Sequence, residues 1–599
     1  MKNYYLLIVF FAFTILSPIN AQNKMEKLNK GLVAVRINEN KVYISWRLFV
    51  NDSENIGFNL YRDGVLVNKK PIHNSTNFTD NTTKDGIYQI KTIVNGKETS
   101  SSETVNVWQH DYLEIPLQIP PGGTTPDGVS YTYTANDASV GDLDGDGQYE
   151  IILKWDPTNA KDNSHNGYTG NVYLDAYTLS GEFKWRIDLG GNIRAGAHYT
   201  QFMVYDLDGD GKAEVACKTA DGTIDGTGNV IGNPDADYRN KSGRVLEGAE
   251  YLTVFEGDTG KAITTTDYIP GRRNVGSWGD TYGNRSDRFL GAVAYLDGRH
   301  PSLVMCRGYY TRTVIASWDF KDGQLKKRWI FDTDDTGNQA YAGQGNHNLS
   351  IADVDADGKD EIVYGSMTVD DNGKGLYTTG LGHGDALHVS DFDPERPGLE
   401  VFMPHENKVD GVTFRSARTG EVIWQHKKKM DVGRGLAADI DATQVGAEFW
   451  ASGDLGVYNT DGKQVGTEIP SINFAIWWDD ELDRELLDGN SISKYGVGTV
   501  FTAEGCKSNN GTKATPSLQA DLFGDWREEV MLRTSDNSAL RIFINPEMST
   551  RKLPTLMQDR QYRMSIVWQN VGYNQPPWPS FYLGYNMEFY KKTEKHSKK

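Results

Sequence analysis

The string Asp-x-Asp-x-Asp-Gly-x-x-Glu occurs intact at Asp142–Glu150 (DLDGDGQYE), Asp206–Glu214 (DLDGDGKAE) and Asp353–Glu361 (DVDADGKDE). Looser copies stand at Asp391–Glu400, Asp439–Glu448 and Asp521–Glu529. Carboxylates at alternate positions, a Gly that permits a sharp turn and a closing Glu make an oxygen cage suited to Ca²⁺. The candidate ligands are Asp142, Asp144, Asp146 and Glu150; Asp206, Asp208, Asp210 and Glu214; Asp353, Asp355, Asp357 and Glu361; Asp391, Asp393 and Glu400; and Asp439, Asp441 and Glu448. These are not EF-hands, because the position that would carry a bidentate Glu is Leu153 in the first loop. The runs that follow, EIILKW, EVACK and EIVYG, read as strands. Each loop is therefore expected to cap a β-hairpin. Recurrence points to a repeating architecture stapled by calcium, in a compartment where calcium is plentiful.

Met1–Ala21 reads as a secretory signal, with Lys2, an apolar core and a small-residue cleavage site before Gln22. No later stretch approaches the roughly 20 apolar residues of a spanning helix. The mature chain is expected to be soluble, periplasmic or secreted, and monomeric. Cys217, Cys306 and Cys506 are too few for a disulfide framework, though one bridge stays open, and Cys217 reads as a buried small hydrophobe. A formal charge of −19 argues against nucleic acid.

Abundant Trp, Tyr and Gly with little helical periodicity fit an all-β chain. Residues 25–110 lack Asp loops and alternate apolar with polar residues (VYISWRLF, GFNLYRDG, YQIKTIV). This suggests a small sandwich resembling a fibronectin type III domain, with Trp46 and Tyr61 as core candidates. Residues 112–585 carry the loops at uneven intervals, as expected of a β-propeller of about seven or eight blades. LDGRHPSLVM at Leu296–Met305 reads as a decayed copy, and 586–599 as a solvated basic tail.

Chemistry is expected in loops that depart from ordinary turn composition. His347 precedes an Asp loop, GLGHGDALHVS carries His383, Asp385 and His388, and MPHENKVDG carries His405 and Glu406. His383 and Asp385 would share a strand face, and with His347 and Glu406 could form a mixed nitrogen and oxygen metal site. Arg434 lies between glycines. Asn510-Gly511-Thr512-Lys513 reads as a turn, and the loop of Tyr573 and Trp578 as either a sugar-stacking surface or packed closure.

Three groups of residues together resemble the family 11 polysaccharide lyases, the bacterial rhamnogalacturonan lyases: Tyr133–Pro157, Ala195–Gly228, and NNGTKATP…ADLFGDWREE…GYNQPPWPSFYLG. The similarity extends over essentially the whole mature chain. It implies an eight-bladed propeller with several calcium ions. It further implies β-elimination at the α-1,4 bond between rhamnose and galacturonate in rhamnogalacturonan I. By the same resemblance Lys513 is the candidate base, Arg434 the group that stabilises the uronate, and Tyr573 a proton donor or positioning group. Asn136, Asp156, Asn510, Gly511 and Thr512 match saccharide contacts, and His347, His383, Asp385 and Glu406 match calcium ligands in the cleft.

The reaction adds charge to a carboxylate that is already negative, so a cation beside it is required. One unit charge at about 4 Å is worth roughly 4 kcal/mol at an effective dielectric near 20, or about a thousandfold in rate. His347 is a second candidate for base or supporting group, since histidine is an uncommon ligand for a hard cation. A non-catalytic carbohydrate-binding propeller and a two-carboxylate hydrolase are the competing readings. The resemblance further implies that a loop blocking or opening the cleft decides between endo and exo cleavage, and the short connection after Glu406 (NKVDGVTF) then points to endo.

Overall fold

Short β-branched and aromatic runs separated by Gly-Asp turns leave little choice but antiparallel hairpins. The computed structural model, described over residues 26–453, 456–585 and 587, is built from them. The signal-like Met1–Ala21 and the basic tail, apart from residue 587, lie outside the described residues.

Two sheets form the N-terminal part. One orders Val33–Asn38, Lys41–Ser45 and Asn77–Asn81; the other orders Val65–Leu66, Gly57–Arg62, Tyr88–Val94 and Lys97–Ser101. Their shared core holds Val42, Ile44, Trp46, Phe58, Leu60 and Ile90. Trp46 is where the sequence places it. Tyr61 is not: strand alternation sends Phe58 and Leu60 inward, and the Tyr61 hydroxyl bonds Glu98 at the surface.

A two-stranded ribbon, Gly123–Thr124 with Ser130–Tyr131, and then eight larger sheets follow in chain order among the described residues, each built of antiparallel neighbouring strands. Their first strands are Tyr133–Gly141, Phe202–Tyr205, Phe289–Ala294, Ser350–Ala352, His388–Ser390, Gly435–Ala438, Phe474–Ile476 and Leu518–Ala520, almost wholly buried. The last sheet is completed by a strand from the other end of the domain, Tyr112–Pro116, which pairs with Ala539–Phe543. Tyr133–Gly141 adjoins both Phe202–Tyr205 and Leu518–Ala520, bringing the first and last sheets together.

The single α-helix among the described residues, Arg560–Trp568, is capped by Asp559 and buried from Gln561 onward. It lies against the first strands of the first four sheets and the last. Arg563, with no exposed surface, is held there by Glu26. The three cysteines are buried and unbridged. No helix among the described residues is long and apolar enough to cross a membrane.

The Asp loops join first strands to second strands, as hairpin caps. Their closing Glu has a backbone role that spacing alone does not reveal. Glu150, Glu214 and Glu361 accept the N–H of Leu143, Leu207 and Val354, each at 2.8 Å. Glu400, Glu448 and Glu529 do the same for Phe392, Ile440 and Leu522. Glu485 accepts from Trp478 at 3.0 Å, which marks Asp479–Glu485 as a further, eroded copy, the seventh with a closing Glu, that lacks the sequence pattern.

Candidate active site

The first strands carry different residues at their two ends. Asp loops leave the C-terminal ends of most of them, while His198, His347, Asp385, Arg434 and Lys513 stand just before the N-terminal ends of five. Strands of this length separate the two ends by about 10–17 Å. The Asp loops are thus remote from the residues gathered at the opposite face. A cavity of about 640 Å³, lined by Asp206, Asp208, Tyr295 and Arg328, belongs to the Asp-loop end.

At the other face, ligand atoms of His347, His383, Asp385 and Glu406 all lie within 4.8 Å of one another. His347 Nε2 is 3.2 Å from Asp385 Oδ1, and His383 Nε2 is 3.7 Å from Glu406 Oε1. His383 and Asp385 are not on a strand: the strand starts at His388, and Gly380 and Gly382, both with positive φ, turn the preceding loop inward. His383 Nδ1 lies 2.6 Å from the Gly345 carbonyl, so it carries the proton and leaves Nε2 as a lone pair. That Nε2 and Asp385 Oδ1 are buried without a hydrogen-bond partner. Burial and the neighbouring Asp385 push Glu406 up to about 8. Burial, helped by His383 and His198, holds His347 neutral. Two carboxyls that repel and two neutral imidazoles fit a divalent cation with mixed donors.

Lys513 sits on a turn whose neck is the Asn509–Thr515 bridge, with Asn510 and Ala514 both in the left-handed region. Its Nζ is 4.0 Å from Asp385 Oδ2 and 3.5 Å from the centre of the Tyr573 ring. Burial lowers its pKa, opposed by Asp385 and assisted by Arg434. The Tyr573 ring stacks on His347 at 4.1 Å, and its N–H donates to the His347 carbonyl at 3.0 Å. That approach needs Gly572, where a Cβ would stand 1.9 Å from the same carbonyl oxygen. Burial raises the Tyr573 phenol far above its usual range, so it keeps its proton.

Arg434 is 6% exposed, yet none of its three guanidinium nitrogens has a hydrogen-bond partner. A buried cation left unmatched by the protein is arranged for an anion from outside.

Asn136 occupies an irregularity between Ala135 and Ala138, which aims it at Asp156 Oδ2, 3.0 Å away. Asp137 beside it accepts from Lys154 at 2.5 Å and Asn574 at 2.9 Å, and from Asn510 at 3.4 Å. Gly511 and Thr512 are exposed on the same turn as Lys513. All these expected site residues therefore face one end of the molecule. His388 does not join them: it is a fully buried core residue, bonded to Gly435 and Trp578. Trp578 is closure rather than a stacking surface, buried against Phe392 and Arg484.

Sequence reasoning missed Asp137, Lys154, Asn574, His198, Tyr309, Tyr310 and Arg285. Tyr309 bridges His198 Nδ1 at 3.2 Å and His347 Nδ1 at 2.9 Å, and Tyr310 meets His347 Nε2 at 2.9 Å. The RGYYTR stretch, two tyrosines among arginines directly after a strand, is the signal that could have found two of them.

The loops at the opposite end also have an oxygen-only donor set. Asp142, Asp144 and Asp146 converge to within 4.8 Å, as do their counterparts at 206–210 and 353–357. Glu361 Oε1 and Glu448 Oε1 are buried without partners. Burial pushes Glu214 and Glu361 up to about 9. These residues fit Ca²⁺.

Residues 112–593 match the model of the rhamnogalacturonan lyase family 11 C-terminal domain, and residues 23–108 that of the rhamnogalacturonan I lyase beta-sheet domain. The rhamnogalacturonan endolyase YesW of Bacillus subtilis is 57% identical over 97% of this chain and 95% of its own. The rhamnogalacturonan exolyase YesX of the same organism is 56% identical over 95% and 96%. A rhamnogalacturonan lyase structure from Bacillus licheniformis superposes with a TM-score of 0.93 at 58% identity, covering 95% of this chain and 98% of the other. An all-β chain with such relatives is a polysaccharide lyase. The chain belongs to rhamnogalacturonan lyase family 11.

Proposed function

We propose that the protein cleaves the α-1,4 bond between rhamnose and galacturonate in rhamnogalacturonan I by β-elimination, leaving a 4,5-unsaturated galacturonate. The observation that carries this reading is the convergence of a partnerless buried Arg434 with Lys513 and the His347, His383, Asp385, Glu406 cluster. Arg434 binds the galacturonate carboxylate and matches the charge that grows there. Lys513, biased toward its neutral amine by burial and Arg434, takes the C5 proton. The C5–H electrons form the C4=C5 bond as the C4–O4 bond breaks, and the Tyr573 phenol gives its proton to the leaving O4. Asn136, Asp156 and the Asn510–Thr512 turn orient the sugars. His347, His383, Asp385 and Glu406 would hold Ca²⁺, which when bound supplies positive charge beside the uronate. The Asp loops would hold further Ca²⁺ as staples.

In this reading the eight sheets are the blades of a propeller, preceded by a fibronectin type III-like domain, and the protein is a secreted or periplasmic monomer. Endo cleavage is favoured by the short connection after Glu406, which is closed by a 2.8 Å hydrogen bond from the His405 N–H to the Gly411 carbonyl. An exo enzyme would release short products from the first minutes instead of a broad size distribution.

The decisive test is ultraviolet absorbance of the unsaturated product on rhamnogalacturonan I with Ca²⁺, for wild type and Lys513→Ala. A rise lost in the folded variant is expected. An undiminished rise would move the base elsewhere, with His347 next, and no rise in the wild type would overturn the lyase reading.

A further inference from the structure

Four consecutive sheets carry the histidine and carboxylate cluster and the arginines on either side of it. Their first strands lie in the order Phe289–Ala294, Ser350–Ala352, His388–Ser390 and Gly435–Ala438; the first three adjoin directly, and the fourth meets the fifth sheet through Glu400–Pro404. The histidine and carboxylate cluster comes from the middle two. Arg434 enters from one flank, before Gly435. From the other flank, before Phe289, comes Arg285.

Arg285 stands out among the arginines of its flank. Arg288 donates to the Asn284 carbonyl and side chain at 2.9 and 2.6 Å, and Arg307 to Glu250 and Ser286. Arg244 is spent on the carbonyls of Asn163 and Tyr282, both at 2.7 Å. The Arg285 guanidinium has no ion pair or hydrogen bond to any described residue. It lies 3.9 Å from the centre of the Tyr310 ring, and Tyr310 in turn touches the cluster through its 2.9 Å contact with His347. The Arg285 backbone is fixed, since its N–H donates to Asp280 at 2.6 Å.

In a polymer that alternates rhamnose with galacturonate, carboxylates recur at every second sugar. A site whose cations all serve the reacting uronate leaves the next carboxylate along the chain to be desolvated unmatched, in a protein of formal charge −19. We propose that Arg285, stacked on Tyr310, is a second uronate-binding position, on the side of the cluster away from Arg434. Its planar guanidinium offers a bidentate face to a carboxylate while the Tyr310 ring holds the other face. This rests on the lyase reading for the identity of the polymer, but it is a statement about binding and needs no turnover.

The test is affinity electrophoresis on intact and carboxyl-reduced rhamnogalacturonan I, in a Lys513→Ala background that leaves the polymer whole. Arg285→Gln should weaken binding to the intact polymer by about tenfold or more. It should leave binding to the carboxyl-reduced polymer unchanged, and Arg285→Lys should fall between. Equal losses on both polymers, or no loss on either, would overturn the proposal. Thermal melts of both variants separate lost binding from lost folding. Failure of the lyase reading would show itself separately, as absent ultraviolet product with the wild type.

Discussion

Arg434 carries opposite consequences for stability and activity. Its guanidinium is buried and unpaired, and burial pulls its pKa down to about 10. Arg434→Met keeps the stem and removes the charge, so it should raise stability, by about 1–3 kcal/mol. The same change should cost about a thousandfold in kcat/KM. A melt and a rate on one variant check both; a destabilised Arg434→Met would mean the cation has a partner within the protein. His388 gives a prediction of the pH dependence. Its Nε2 faces the Gly435 carbonyl at 2.9 Å and its Nδ1 accepts from Trp578, so no site remains for a second proton. Burial lowers its pKa from 6.5 to about 3. The unfolded chain thus binds the extra proton first, and stability falls as pH drops below 6.5, by up to about 1.4 kcal/mol per unit. In calcium-loaded protein, His388→Gln should reduce that slope. An unchanged slope would remove His388 from the acid response.

The Asp loops make a prediction for the element. Without a cation, burial raises Glu214 and Glu361 from 4.5 to about 9, so the folded chain binds more protons than the unfolded one across that window. Stability of the chelated protein should therefore fall as pH rises from 4.5 toward 9. Calcium should reverse this by replacing the protons. The drop in Tm caused by a chelator is expected to be larger at mildly alkaline than at mildly acidic pH. An equal drop at both, or none, would mean that the loops are held by their hydrogen bonds alone.

For the whole molecule, the strand Tyr112–Pro116 links the first segment of the domain to its last sheet. Ile115 is fully buried in the core cluster that also holds Leu540 and Ile542. Ile115→Ala should cost about 2–5 kcal/mol. Because the first and last sheets adjoin, the whole domain should still melt in one transition, at lower temperature. Separate melting of the last sheet in calorimetry would show that the sheets are not cooperatively joined.

What the sequence determined by itself is whatever local chemistry dictates. Three carboxylates, a Gly and a strand-like run define a hairpin loop wherever they occur, so the all-β class and the Asp loops were legible. Arg434, Lys513 and Tyr573 were named through resemblance, because no local pattern joins residues so far apart in the chain. Tertiary structure decided the rest. The bulge that aims Asn136, the inward loop of His383 and Asp385, and the eroded hairpin at Asp479–Glu485 depend on partners distant in sequence. So does the meaning of a charge: Arg285, Arg288 and Arg434 are alike in sequence, and only the fold separates Arg288, whose guanidinium is hydrogen-bonded, from the two whose guanidinium groups are not.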